Sequence, residues 1–299
     1  MHESELTRRG FMERSVLASL GAGLGSAAVA ASSAGEVPVP LKIGHRAASM
    51  RRVGDFNVFK AARKIAGLDG VELQVTSGTP NLRDKEALLR YKREANRWGM
   101  MVPSVAGIWD RGVSILQPAA AGSLQKSIEA AEVLGASVVL AAFFKQKAPD
   151  MSAPSSFEPV VDMLRSVAPR AADAGITVGL ENSLSPAENK KLVDLVDHPA
   201  VKVYYDPYNM AVYGYAEEAV PGFKLLGKER ICQVHVKNGG HLLEEAGLVD
   251  WKAAFRALNE LGYDGWYVFE TRHADRAQVA TDTRRNIAFI REHARMPLG

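Results

Sequence analysis

Four short runs rich in β-branched and aromatic residues, ITVGLE, VKVYYD, ICQVH and GWYVFE, each end in a side chain able to bind a metal ion: Glu181, Asp206, His235 and Glu270. Successive members of the set lie 25, 29 and 35 residues apart. A (β/α)₈ TIM barrel of about 250 residues divides into units of roughly 31, so this spacing predicts one such residue per β-strand. Parallel strands in a barrel bring their C-terminal ends together at one mouth, where active sites of that architecture lie. Three carboxylates and an imidazole arriving there would surround a single divalent cation.

The remainder of the chain has the alternation that such a barrel requires. Apolar runs of strand length are expected as strands at 41–44, 70–75, 101–105, 137–142, 177–180, 201–205, 231–236 and 266–269. Between them, segments with apolar positions three and four apart predict helices over 57–66, 82–98, 124–134, 157–174, 187–196, 216–226, 251–261 and 282–295. Gly99, Gly135, Gly175 and Gly262 follow four of these helices, where a left-handed cap favours glycine. Residues 35–299 therefore read as a single α/β domain, a (β/α)₈ barrel.

The first 34 residues read differently. Thr7-Arg8-Arg9-Gly10-Phe11-Met12 precedes an Ala/Gly-rich apolar stretch and a small-x-small cleavage pattern at Ala28-Val29-Ala30, and the segment resembles a twin-arginine export signal. The twin-arginine machinery is thus an expected partner of the precursor, and the periplasm or another exported location its destination. Lys and Arg total 37 against 34 acidic residues, and a net charge of +3 gives no reason to expect nucleic acid as a partner. Small neutral or weakly anionic molecules fit better. A homo-oligomer is compatible with the sequence, which does not fix oligomeric state. Cys232, the single cysteine, permits no intramolecular disulfide and sits in an apolar run that suits a buried, inert thiol.

An internal echo links two of the units: ARKIAGLDGVEL at 62–73 and LNELGYDGWYVFE at 258–270 share a helix end, a Gly-x-Asp-Gly turn and a strand closing near a glutamate. Together with GLEN at Glu181, DPYN at Asp206 and HVKN at His235, this pattern resembles the xylose isomerase-like TIM barrel superfamily, the sugar phosphate isomerase/epimerase group. The resemblance implies one divalent metal ion (Mn, Mg, Co or Zn) held by Glu181, Asp206, His235 and Glu270, and a small sugar or sugar derivative as substrate. It implies proton transfer through an enediolate, with Glu181 and Glu270 as the acid/base pair. Asn209 stands where many relatives carry histidine and would hydrogen-bond substrate. Lys237 shares a strand face with His235, so its ammonium would meet an oxyanion unless it is solvated. Glu72 and His45 each end a strand, as substrate ligands or as structural partners, and Trp109 would supply an apolar wall.

Two other readings share the metal site: a lyase or hydratase on a 3-oxo sugar, and a sugar-binding barrel without turnover. An AP-endonuclease reading fails because HVKNGGHLL lacks the Asp-x-His pair of those enzymes. A glycerophosphodiesterase reading fails because Gln74 replaces a required carboxylate.

Overall fold

The computed structural model describes residues 41–294, so the export signal expected over 1–34 lies outside the described residues. Eight parallel strands close into a barrel in sequential order: β1 (Lys42–Arg46), β2 (Gly70–Gln74), β3 (Ser104–Ala106), β4 (Val138–Phe143), β5 (Thr177–Asn182), β6 (Val201–Tyr205), β7 (Ile231–Val236) and β8 (Trp266–Phe269). β8 pairs back onto β1, so the sheet has no free edge. The chain is a (β/α)₈ TIM barrel, with every strand where the apolar runs place one.

Outside the barrel run α1 (Val58–Arg63), α2 (Lys85–Trp98), α3 (Ala120–Leu134), α4 (Pro154–Asp173), α5 (Pro186–Val196), α6 (Pro207–Val212), α7 (Pro221–Leu226), α8 (Trp251–Glu260) and α9 (Gln278–His293). Gly99 and Gly135 take left-handed φ values of 59° and 73° at the ends of α2 and α3, closing them as expected. One expectation needs correcting. The helix read over 216–226 is a 3₁₀ turn, Ala216–Glu218, followed by α7, because Pro221 has no N–H to continue the first turn and instead starts the second. The six-residue α6 is too short for a periodicity window, so hydrophobic spacing does not predict it. Among the described residues no helix is long and apolar enough to cross a membrane.

Strand alternation divides the apolar residues into two cores. Residues such as Ile43, Val71, Val139, Val203, Val234 and Phe269 face the helices and form the larger core. Ala106, Val138, Leu140, Tyr204, Trp266 and Val268 fill the barrel interior, with Cys232 packed against them. The β6–β7 register shifts at Cys232: Val203 pairs with Ile231, yet Tyr204 pairs with Gln233. This bulge leaves Cys232 unpaired, with its Sγ against the Val203 carbonyl oxygen at 3.3 Å. Burial pushes its thiol up to about 12, which suits an inert role.

Gly179 on β5 is small for a packing reason. A Cβ there would lie 2.7 Å from Cys232 Sγ and 3.1 Å from Val138 Cγ1, in space the interior core already fills. Gly179→Ala is therefore expected to destabilise the fold by about 1–3 kcal/mol through overpacking. Urea unfolding checks this, and an unchanged midpoint would contradict it.

Candidate metal centre

The four strand-end residues meet. One donor atom from each of Glu181, Asp206, His235 and Glu270 lies within 4.8 Å of every other. Glu181 ends β5 on the interior face, and its Oε1 accepts a hydrogen bond from Asn209 Nδ2 at 2.8 Å and approaches His235 Nδ1 at 3.1 Å. Asp206 follows β6 and caps α6: its Oδ1 accepts from the Asn209 backbone N–H at 2.9 Å. One oxygen is thereby committed to the helix, and Oδ2 is left buried and turned into the site. His235 is fully buried, with Nδ1 3.7 Å from Glu270 Oε2 and 3.9 Å from Asp206 Oδ2.

Glu72 lies beneath this cluster, not in it. It is completely buried, accepts from Ser104 Oγ at 2.7 Å and Tyr204 OH at 2.9 Å, and sits 3.4 Å from His235 Nε2. A carboxylate behind the second ring nitrogen is the arrangement that orients a metal-binding histidine and increases its basicity. Lys237 projects from the His235 face and places its ammonium 2.6 Å from Asp206 Oδ2 and 2.5 Å from Glu270 Oε2. Arg46 is a site residue that strand-end chemistry in the sequence does not reveal. It ion-pairs with Glu270 and, through Nε at 3.3 Å, with Glu72, so one guanidinium joins the two glutamates of the internal echo.

Electrostatics follow from this crowding. Burial, together with the Glu270 and Asp206 carboxylates, holds Glu181 above the usual carboxylate range despite His235 beside it. Burial also opposes ionisation of Glu270, but His235, Arg46 and Lys237 outweigh it and bring that carboxyl down to about 2. His235 is the mirror case: burial disfavours the imidazolium, and the surrounding Glu181, Glu72 and Glu270 lift it to about 10. Four carboxylates against Arg46 and Lys237 leave two negative charges when His235 is neutral. A divalent cation would cancel them, and the donor set suits one: hard oxygens plus one imidazole, with Asp206 Oδ2 buried and turned into the site.

Above the cluster opens a cavity of about 970 Å³, lined by Arg46, Gln74, Asn209, Lys237 and Glu270, with Tyr208, Val212 and Tyr213 of α6 and its C-terminal end forming one wall. Of the residues expected to bind substrate, Asn209 and Lys237 line it. Glu72 and Trp109 do not; Trp109 packs, half-buried, against the outer core. His45 is fully buried on the outer face of β1, against the rings of Phe269 and His273. Burial, with His273 nearby, pulls its imidazole down to about 3. The next residue, Arg46, is the one that turns inward, since it pairs with Glu72 across the β1–β2 ladder. β1 extends two residues beyond the expected strand, and only that extension reveals which of the two side chains faces the mouth.

Residues 59–293 match the xylose isomerase-like TIM barrel family. The chain belongs to that family. No curated protein matches it in sequence. Several solved structures share its fold. A D-psicose 3-epimerase in the presence of D-fructose is 15% identical with a TM-score of 0.68, over 86% of this chain and 100% of that one. The D-psicose 3-epimerase of Clostridium cellulolyticum H10 with D-tagatose is 18% identical, TM-score 0.67, over 86% of this chain and 100% of that chain. The apo 3-keto-D-glucoside 4-epimerase of E. coli is 19% identical, TM-score 0.63, over 84% and 99% of the respective chains.

Glu72→Leu leaves Arg46, Ser104, Tyr204 and His235 facing an apolar side chain, and is expected to cost about 3–5 kcal/mol in urea unfolding, as for other buried pairs broken on one side. A loss below about 1 kcal/mol would mean that these partners find other acceptors. Chelator-stripped protein is expected to gain about 2.7 kcal/mol of stability when Mn²⁺ is added at a hundred times its Kd. Asp206→Asn should abolish that gain at the same concentration, and an undiminished gain would place the ion elsewhere.

Proposed function

We propose that this protein is a divalent-metal-dependent sugar isomerase or epimerase working through an enediolate, exported by the twin-arginine route that its N-terminal sequence supports. The observation that carries the reading is the convergence of Glu181, Asp206, His235 and Glu270 within 4.8 Å beneath a cavity lined by hydrogen-bonding side chains. Family membership supports it, as do similarly folded proteins named as sugar epimerases. One imidazole among three carboxylates favours manganese, cobalt or zinc over magnesium. An ion held by these four residues would supply Lewis acidity that acidifies a C–H bond next to the sugar carbonyl.

The two glutamates divide the proton transfer between them. Glu181 and Glu270 are the acid/base pair, each able to hold the ion through one oxygen and exchange a proton through the other, and Arg46 and Lys237 hold Glu270 in place. Lys237 and Arg46 then face the negative charge that develops on the sugar oxygens. Asn209 fixes Glu181 through its 2.8 Å hydrogen bond, while Gln74 Nε2, buried without a partner, is a free donor for a sugar hydroxyl. Return of a proton to the opposite face gives an epimer, and return to the neighbouring carbon an isomer.

The phenols of Tyr208 and Tyr213 in the cavity wall favour a second reading. A phenol can protonate a leaving group at the β-carbon, making the same site a 3-oxo-sugar lyase.

Metal-loaded protein incubated in deuterated water with ketoses and 3-oxo glycosides is expected to place deuterium at the carbon beside the carbonyl, followed by NMR. Of Glu181→Gln and Glu270→Gln, the variant that removes the first base should slow that exchange by about 10²–10⁴-fold, and the other should retain exchange but lose inversion. Exchange that survives in both variants would remove the glutamates from the mechanism. An unsaturated product would select the lyase, and tight sugar binding without any exchange would select a non-catalytic barrel.

A further inference from the structure

We infer that Lys237 is a counter-cation that the metal ion displaces: ammonium and ion compete for Asp206 Oδ2 and Glu270 Oε2, and on loading the ammonium moves into the cavity as a ligand for a substrate oxygen. The inference rests on the metal-dependent isomerase reading and describes how that site is assembled. Its first support is that two of the four donors are already claimed. Lys237 Nζ lies 2.6 Å from Asp206 Oδ2 and 2.5 Å from Glu270 Oε2, the oxygens that face His235 Nδ1 at 3.9 and 3.7 Å.

Neither carboxylate has a spare oxygen. Asp206 Oδ1 accepts the Asn209 backbone N–H that starts α6, which leaves Oδ2 for the ion. Glu270 Oε1 is paired with Arg46 and Oε2 with Lys237, so one cation must give way before Glu270 can bind the ion. Metal–oxygen bonds run to about 2.0–2.6 Å, so an ion on both oxygens would be about as close to them as the ammonium is. Two cations sharing the same oxygens in a largely buried site repel strongly.

The two side chains differ in their freedom to leave. Arg46 is also tied through Nε to the fully buried Glu72 at 3.3 Å, and would lose both partners by moving. Lys237 is fixed only at its backbone, whose carbonyl oxygen accepts from Trp251 Nε1 at 3.0 Å; its flexible four-carbon stem gives the ammonium other positions. The cavity wall offers a favourable one. Nζ is 5.8 Å from the centroid of the Tyr208 ring, within cation–π range. Gly239 admits that ring, since a Cβ there would lie 2.8 Å from the Tyr208 hydroxyl. Arg46 keeps Glu270 in place when Lys237 lets go.

Calorimetric titration of Mn²⁺ into the chelator-stripped full chain tests the competition. Lys237→Met is expected to bind Mn²⁺ about tenfold more tightly than the wild type, and Lys237→Arg, which keeps the charge, within about threefold of it. By linkage, Lys237→Met should lower the Tm of the stripped protein, with a smaller deficit at saturating Mn²⁺. Acylation of the wild-type chain by an amine-reactive ester, read at Lys237 by peptide mass spectrometry, tests the movement without a variant. Labelling is expected to rise when Mn²⁺ is added. Mn²⁺ affinity unchanged or weakened in Lys237→Met, or labelling that Mn²⁺ leaves unchanged, would overturn the inference. None of these readouts needs turnover, which keeps the two readings apart. Competition without deuterium exchange on any sugar would sink the isomerase reading and keep the displaced lysine; exchange in a protein whose Mn²⁺ affinity ignores Lys237 would do the reverse.

Discussion

Four carboxylates, Glu72, Glu181, Asp206 and Glu270, share one small volume at the barrel mouth, the first three buried and Glu270 partly so. Burying even one carboxylate without a partner is costly, and like charges at this range repel strongly. The neighbourhood is organised by that constraint. Arg46 spans Glu72 and Glu270, Lys237 spans Asp206 and Glu270, and His235 is placed between Glu72 below and the remaining three carboxylates above. Neutral donors do the rest: Ser104, Tyr204 and Asn209 each commit a hydrogen bond to a carboxylate oxygen.

The scaffold can hold such a cluster because the rest of the molecule is conventionally apolar. A closed parallel sheet with one core inside and a larger one against the helices gives the strand ends fixed positions. Local structure refines them. Asp206 commits one oxygen to the start of α6 and keeps the other for the site, so the helix and the ligand fix each other's orientation. The same segment then presents Tyr208, Asn209, Val212 and Tyr213 to the cavity. A barrel of this kind hosts many chemistries, and it is these loop-borne side chains that specialise the mouth.

Much of the site is legible in the amino-acid sequence, and for a physical reason. A polar, metal-binding residue closing an apolar strand is a local pattern, and its recurrence at the spacing of a βα unit follows from the architecture itself. Glu181, Asp206, His235 and Glu270 are visible in that way, as are Asn209 and Lys237 by their offsets from them. Arg46 is not, because nothing local distinguishes an arginine that meets a carboxylate 224 residues away from one in solvent. His45 and Arg46 show the limit most clearly: adjacent residues, one locked among rings outside the barrel and the other at the floor of the cavity.

Periodicity and strand-end chemistry in the sequence determined the eight-stranded architecture and the identity of four converging donors. Which way each strand faces was decided only in the folded molecule. In β7, plain alternation from Ile231, which packs outward, would have turned His235 inward only if Ile231 did the same. The bulge at Cys232 inserts one residue against β6, so Ile231 and Val234 both face the helices while Gln233, His235 and Lys237 face in. A one-residue slip exchanges every side chain between the two faces of a strand. That parity depends on pairing with a neighbouring strand, a long-range contact that no run of residues encodes by itself.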